Sequence, residues 1–85
     1  MFGVFAIHLV RWSYSRRKMV RGYFDKFPNS IVYFRRIRWF YIVYMVDWND
    51  EDPVVSQDDL ETMQQMINKE LGKEKEYKQR KSRKG

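Results

Sequence analysis

The stretch Ile31–Trp48, IVYFRRIRWFYIVYMVDW, places thirteen β-branched or aromatic residues in eighteen positions. Such side chains lose rotamer freedom against a helical turn and fit a pleated surface, so the composition predicts extended structure. One alternating phase runs Ile31, Tyr33, Arg35, Ile37, Trp39, Tyr41, Val43 and Met45. The other carries Val32, Phe34, Arg36, Arg38, Phe40, Ile42, Tyr44 and Val46. Arg35 and Arg36 put charge on both phases at once, which predicts a bend or bulge between two half-strands. The competing pattern is a helical stripe through Tyr33, Ile37, Phe40, Tyr41, Tyr44 and Trp48.

The rest of the chain reads around this stretch. Phe2–Trp12 is apolar on both phases, as in a strand buried on both faces or a short buried helix, and its Val, Ile and Phe favour the strand. Met19–Phe24 predicts a second short strand, weakened or bulged at Gly22. Asp25–Ser30, DKFPNS, reads as a turn, because Pro28 fixes φ and Asn29 and Ser30 bond back to the backbone. Ser56 followed by Asp59 resembles a capping box, and Leu60, Met63, Met66, Ile67 and Leu71 then share one helical face. Gln64, Gln65, Asn68, Lys69 and Glu70 fill the opposite face, and Gly72 is a stop signal.

The fold expected is α+β: a small antiparallel sheet of two to three strands packed against one C-terminal amphipathic helix, with a basic tail. Residues 1–72 form the single domain. Residues 73–85 are a charged tail or an extension of the helix, which Glu74–Lys78 and Glu76–Arg80 pairs would support. A chain of 85 residues has room for one thin core. It has no cysteine, so neither disulfides nor thiolate metal sites supplement that core.

Charge falls in blocks. Nine Lys/Arg face one acid, Asp25, up to Val46; seven acids and no base follow from Asp47 to Glu61; eight bases face three acids after that. The first 24 residues hold no acid and have the composition of an organelle transit segment, which favours a mitochondrial location. The basic first part of a fold reads the same way. Arg38 and Asp47 bracket the longest apolar run, Trp39–Val46, which is too short to span a membrane as a helix.

Enzyme signatures are missing: there is no Gly-rich phosphate loop, no nucleophile elbow and no metal-ligand spacing. His8 is the only histidine and has no acid beside it in the sequence. The acids of residues 47–59 lack the spacing of a calcium-binding loop. The expectation is a protein that is not an enzyme, with no cofactor, no metal and no small-molecule substrate.

Cations and rings interleave instead, at Arg11-Trp12, Tyr14, Arg16-Arg17-Lys18, Arg21, Tyr23, Phe34-Arg35-Arg36 and Arg38-Trp39. Lysine and arginine meet phosphates while exposed rings stack on unpaired bases. The terminal Lys78, Arg80, Lys81, Arg83 and Lys84 resemble the basic tails that enter RNA or lie on anionic lipid. A solvated basic face has the same composition. The reading is a small RNA-binding component of a ribonucleoprotein assembly, like the accessory proteins of organellar ribosomes in composition, meeting single-stranded or ribosomal RNA or other subunits of a large complex. Its alternatives are an accessory subunit of a respiratory-type membrane complex with peripheral membrane contact, and a viral or phage-type protein binding a host protein.

Overall fold

A computed structural model of the chain describes residues 7–82. Four strands, β1 (Leu9–Tyr14), β2 (Met19–Phe24), β3 (Phe27–Ile37) and β4 (Phe40–Asp47), form one antiparallel sheet in the order β1-β2-β3-β4. Two helices follow, α1 (Gln57–Glu70) and α2 (Glu74–Ser82). The class is α+β, but two to three strands against one helix is corrected to four strands and two helices. The chain contributes an extra strand because Ile31–Trp48 is not one hinged element. It reverses at Arg38-Trp39, where Arg38 takes φ 55°.

The expected hinge at Arg35-Arg36 is likewise corrected. Both arginines lie inside β3 and pair with Ile42 and Tyr41. The irregularity lies across from them: Tyr33 pairs with Met45 and Phe34 with Val43, so Tyr44 is the extra residue of a bulge in β4. The turn expected over Asp25–Ser30 is confined to Asp25 and Lys26, and Phe27 already belongs to β3. The strand expected over Phe2–Trp12 is β1, shifted to Leu9–Tyr14; Phe2–Ala6 lie outside the described residues.

Strand alternation decides which side is core. In β2, Val20, Gly22 and Phe24 are buried while Met19, Arg21 and Tyr23 are partly exposed. Val20, Phe24, Phe27, Val32, Phe34 and Tyr41 form one buried cluster with Met63 and Ile67 of α1. Gly22 makes room for the rings of Phe24 and Phe34, since a Cβ there would lie 2.9 Å from Phe34 Cε2. The shortest dimension of the molecule, 19 Å, holds one sheet and one helical layer. The alternate face of the sheet is therefore left uncovered among the described residues.

The Ser56–Asp59 capping box is present, with Ser56 Oγ accepting from the Asp59 N–H and the Asp59 carboxylate accepting from the Ser56 N–H, each at 3.0 Å. Leu71 caps the helix and Gly72 takes φ 75°. Two residues expected on the polar face of α1 instead face protein. Asn68 is fully buried, and its amide accepts from the Tyr41 N–H at 2.7 Å and donates to the carbonyls of Tyr41 and Gln64 at 2.8 and 2.7 Å. Gln64 accepts from the Val43 N–H at 2.8 Å and donates to the Tyr77 hydroxyl at 2.9 Å, and that hydroxyl donates to Glu61 at 2.8 Å. Tyr77, 2% exposed, anchors α2 through these bonds and an edge contact with Phe40. Burial and the Glu61 hydrogen bond raise the Tyr77 pKa, burial most, against the opposing effects of Gln64 and Arg80.

The acidic loop is also tied inward. Asp52 is buried, with its carboxylate accepting from the Asn29 N–H and amide and from the Ser30 hydroxyl. Asp59, besides capping α1, pairs with Lys26 at 2.9 Å. Burial pushes the Asp59 carboxyl up, but the Ser56 N–H, the Lys26 ammonium and the Ser56 hydroxyl outweigh it and hold the pKa below its ordinary value.

Two outcomes are expected from these contacts. Asn68→Ala leaves the Tyr41 N–H and C=O buried without partners, at a cost of about 3 kcal/mol. Circular dichroism should then show Tm falling by on the order of 10–20 °C; an unchanged midpoint would remove the amide from its role. Because the folded Asp59 pKa lies below the unfolded one, its stabilisation is complete above about pH 4 and is lost as pH falls through the folded value. Asp59→Asn should lower Tm at neutral pH, and the gap from wild type should close in acid. A gap that persists undiminished there would contradict the linkage.

Candidate nucleic-acid interface

Strand register brings together two basic clusters that lie far apart in the sequence. The β1–β2 turn, Arg16–Lys18, closes through Ser15 N–H to Met19 C=O at 2.8 Å and Met19 N–H to Arg16 C=O at 3.0 Å. β2 then pairs with β3 so that Met19 faces Arg35, and the Arg36 N–H donates to the Lys18 carbonyl at 2.9 Å. A cleft of about 860 Å³ results, lined by Arg17, Lys18, Met19, Arg35, Arg36 and Tyr44. Four of its lining side chains are cations and none is an acid. Arg36 is steadied by donating from Nε to the Arg38 carbonyl at 3.1 Å, and the Arg35 guanidinium lies 5.9 Å from the centre of the Tyr44 ring.

The uncovered face of the sheet continues this chemistry. Arg11 lies over the Tyr23 ring at 3.9 Å, a cation–π contact. Arg21 pairs in register with Tyr33, and its Nε, shielded from solvent, has no hydrogen-bond partner.

Arg17, at φ 51°, and Arg38 are the non-glycine residues with positive φ among the described residues. That conformation costs an L-residue about 1–2 kcal/mol, and tight hairpin turns ordinarily place Gly or Asn there. Both positions instead present an exposed arginine. Retained backbone strain of this kind points to a use for the side chain.

The remaining residues singled out in the sequence scatter. Trp12 packs against the core on the helix side, with its indole N–H 3.4 Å from Glu70. Tyr14 is exposed and meets Trp12 edge-on at 5.1 Å. Arg16 is exposed in the turn beside the cleft. Arg38 borders a separate depression of about 390 Å³ with Trp39, Phe40 and Arg80. Arg80 lies 4.1 Å over the Tyr77 ring and 3.6 Å from Glu61, so it serves the packing of α2. Lys78 pairs with Glu74 at 3.3 Å. Lys81 belongs to the last turn of α2, and Arg83 and Lys84 lie outside the described residues.

His8 acquires an acid that its sequence neighbours do not supply: Asp25 accepts from the His8 N–H at 2.8 Å and lies 2.9 Å from His8 Nδ1. That backbone bond, above all, lowers the Asp25 pKa. Among the described residues no group of three or more His, Cys, Asp or Glu is placed to hold a metal ion, and no helix is long and apolar enough to cross a membrane.

Sequence reasoning did not single out Met19 or Tyr44 for the interface, nor Tyr33. Met19 and Tyr33 were reachable by carrying the alternation of β2 across to β3. Tyr44 was not, because its placement depends on the bulge in β4.

The model of the family described as "Uncharacterised protein YuzH" matches residues 8–82. No curated protein and no solved structure matches the chain. The matched span takes in all four strands, both helices and every residue that lines the cationic cleft, and the chain belongs to the YuzH family.

Proposed function

We propose that the protein is a non-enzymatic RNA-binding component of a ribonucleoprotein assembly, taking single-stranded RNA on the uncovered face of its sheet. The observation that carries this reading is the convergence of Arg17, Lys18, Arg35 and Arg36 on one acid-free cleft beside Tyr44. Like charges gathered at a surface raise the free energy of the folded chain, and a polyanion offsets that cost. No acid lines the cleft, and two acids of the neighbouring loop and helix are engaged elsewhere: Asp52 is bound to Asn29 and Ser30, and Asp59 to Lys26. Arg11 and Arg21 extend the positive field across β1 and β2, with Tyr23 opposite Arg11 and Tyr33 opposite Arg21.

A second reading, an accessory subunit resting on a membrane, draws on the hairpin tip. Trp39 is 63% exposed there beside Arg38, a pairing suited to lipid headgroups.

Titration of the purified chain with a single-stranded oligoribonucleotide at increasing salt tests the first reading. Four phosphate contacts predict that log K falls with log salt at a slope of about −3. Arg17→Gly should keep or raise Tm, because it relieves the positive φ, yet weaken binding and reduce the slope by about 0.7. No binding at low salt, or binding indifferent to salt, would defeat the RNA reading; sedimentation with anionic vesicles that Trp39→Ala abolishes would favour the membrane one.

A further inference from the structure

We propose that Tyr44 is the stacking platform for one unpaired nucleobase, with the adjoining phosphates held by Arg17, Lys18, Arg35 and Arg36, so that the cleft selects single strands over duplex. This rests on the RNA reading and assigns a role within it that charge alone does not supply.

Tyr44 has no cross-strand partner. The register passes from Tyr33–Met45 directly to Phe34–Val43, which leaves Tyr44 as the inserted residue. A bulge costs ladder pairing and re-aims a side chain, and bulges recur beside functional sites for that reason. Here the side chain it frees forms the aromatic wall of the cationic cleft. Tyr44 is also 55% exposed, so its ring is not consumed by the core.

Comparison with Tyr14, Tyr23 and Trp39 sets it apart from them. The Tyr23 ring is occupied by the Arg11 guanidinium at 3.9 Å, whereas Arg35 stands 5.9 Å from the Tyr44 centroid, leaving space beside the ring. Tyr14 is held edge-on against Trp12. Trp39 lies at a different depression, whose cations are Arg38 and the already engaged Arg80. Tyr44, unlike these three, combines an available ring with a wall of cations.

The chemistry then dictates strand selectivity. In a duplex the base faces are stacked on their neighbours and the edges are paired, so a single tyrosine at the side of a cleft meets only backbone. An unpaired base can turn its face onto the ring while its own phosphates reach the arginines. Phosphate contacts position the strand without reading it, and any preference at Tyr44 follows stacking strength more than hydrogen bonding.

The test compares an oligouridylate with an abasic ribose-phosphate strand of the same length and charge, by fluorescence anisotropy. Wild type should prefer the oligouridylate by about ten- to a hundredfold, the size of one base–aromatic stack. Tyr44→Ala should bind both strands equally, with an unchanged salt slope and an unchanged thermal melt, and Tyr44→Phe should behave as wild type. A preference that survives in Tyr44→Ala, or its absence in wild type that still binds both strands, overturns the stacking role and leaves the RNA reading standing. An Arg35→Ala/Arg36→Ala variant that binds either strand as tightly as wild type overturns the RNA reading itself.

Discussion

The side-chain amide of Asn68 is the contact on which the arrangement of layers depends. β4 is an edge strand, and an open row of N–H and C=O groups is both a cost when shielded from water and an invitation to pair with another chain. Asn68 answers the N–H and C=O of Tyr41 as a neighbouring strand would, and Gln64 answers the N–H of Val43. One helix thereby caps the edge with side chains while its apolar residues, Met63 and Ile67, fill the core beneath. The same Gln64 reaches Tyr77, so the position of α2 is set through α1. Removing the amide would loosen sheet edge, helix and terminal helix together.

With the helices committed to that side, the opposite face of the sheet has no cover among the described residues, and its composition becomes surface chemistry. Antiparallel pairing has period two along each strand, so the residues left outward on β2 and β3 include Met19, Arg21 and Tyr23, and Ile31, Tyr33, Arg35 and Ile37. The turn cations Arg17 and Lys18 join Arg35 and Arg36 at the end of this face. Both arginine-bearing hairpin turns hold a backbone conformation that glycine would adopt more cheaply. Local strain, clustered like charge and an unpaired bulge residue meet in one small region, where several rules of stable folding are relaxed at once. Such places are where function is ordinarily found.

Much of the fold was legible. The density of β-branched and aromatic residues from Ile31 to Trp48 marked strands, Met19–Phe24 was found at its observed limits, and the Ser56–Asp59 box marked the start of α1. The misplaced features share a cause. Arg38-Trp39 forms a reversal without Gly, Asn or Pro, so it carries no turn signal, while Pro28 and Asn29 carry one and lie inside β3. Asn68 and Gln64 look solvent-facing because hydrophobic periodicity classes every amide as polar, whatever backbone stands opposite it. Asp52 looks like part of a solvated acidic loop because Asn29 and Ser30, its partners, are more than twenty residues away.

By itself the sequence determined the kinds of element, because rotamer entropy and apolar periodicity act over a few residues, and it determined that cations and rings would be concentrated in the first half. It identified Arg17, Lys18, Arg35 and Arg36 as members of two separate clusters. Only the tertiary structure brings these clusters to one cleft. That depends on the register between β2 and β3, which places Met19 against Arg35, and on the bulge that adds Tyr44. Register is settled by the whole buried face at once, by Val20, Phe24, Val32 and Phe34 meeting α1, because a slip of one residue would turn every side chain of a strand to the other side.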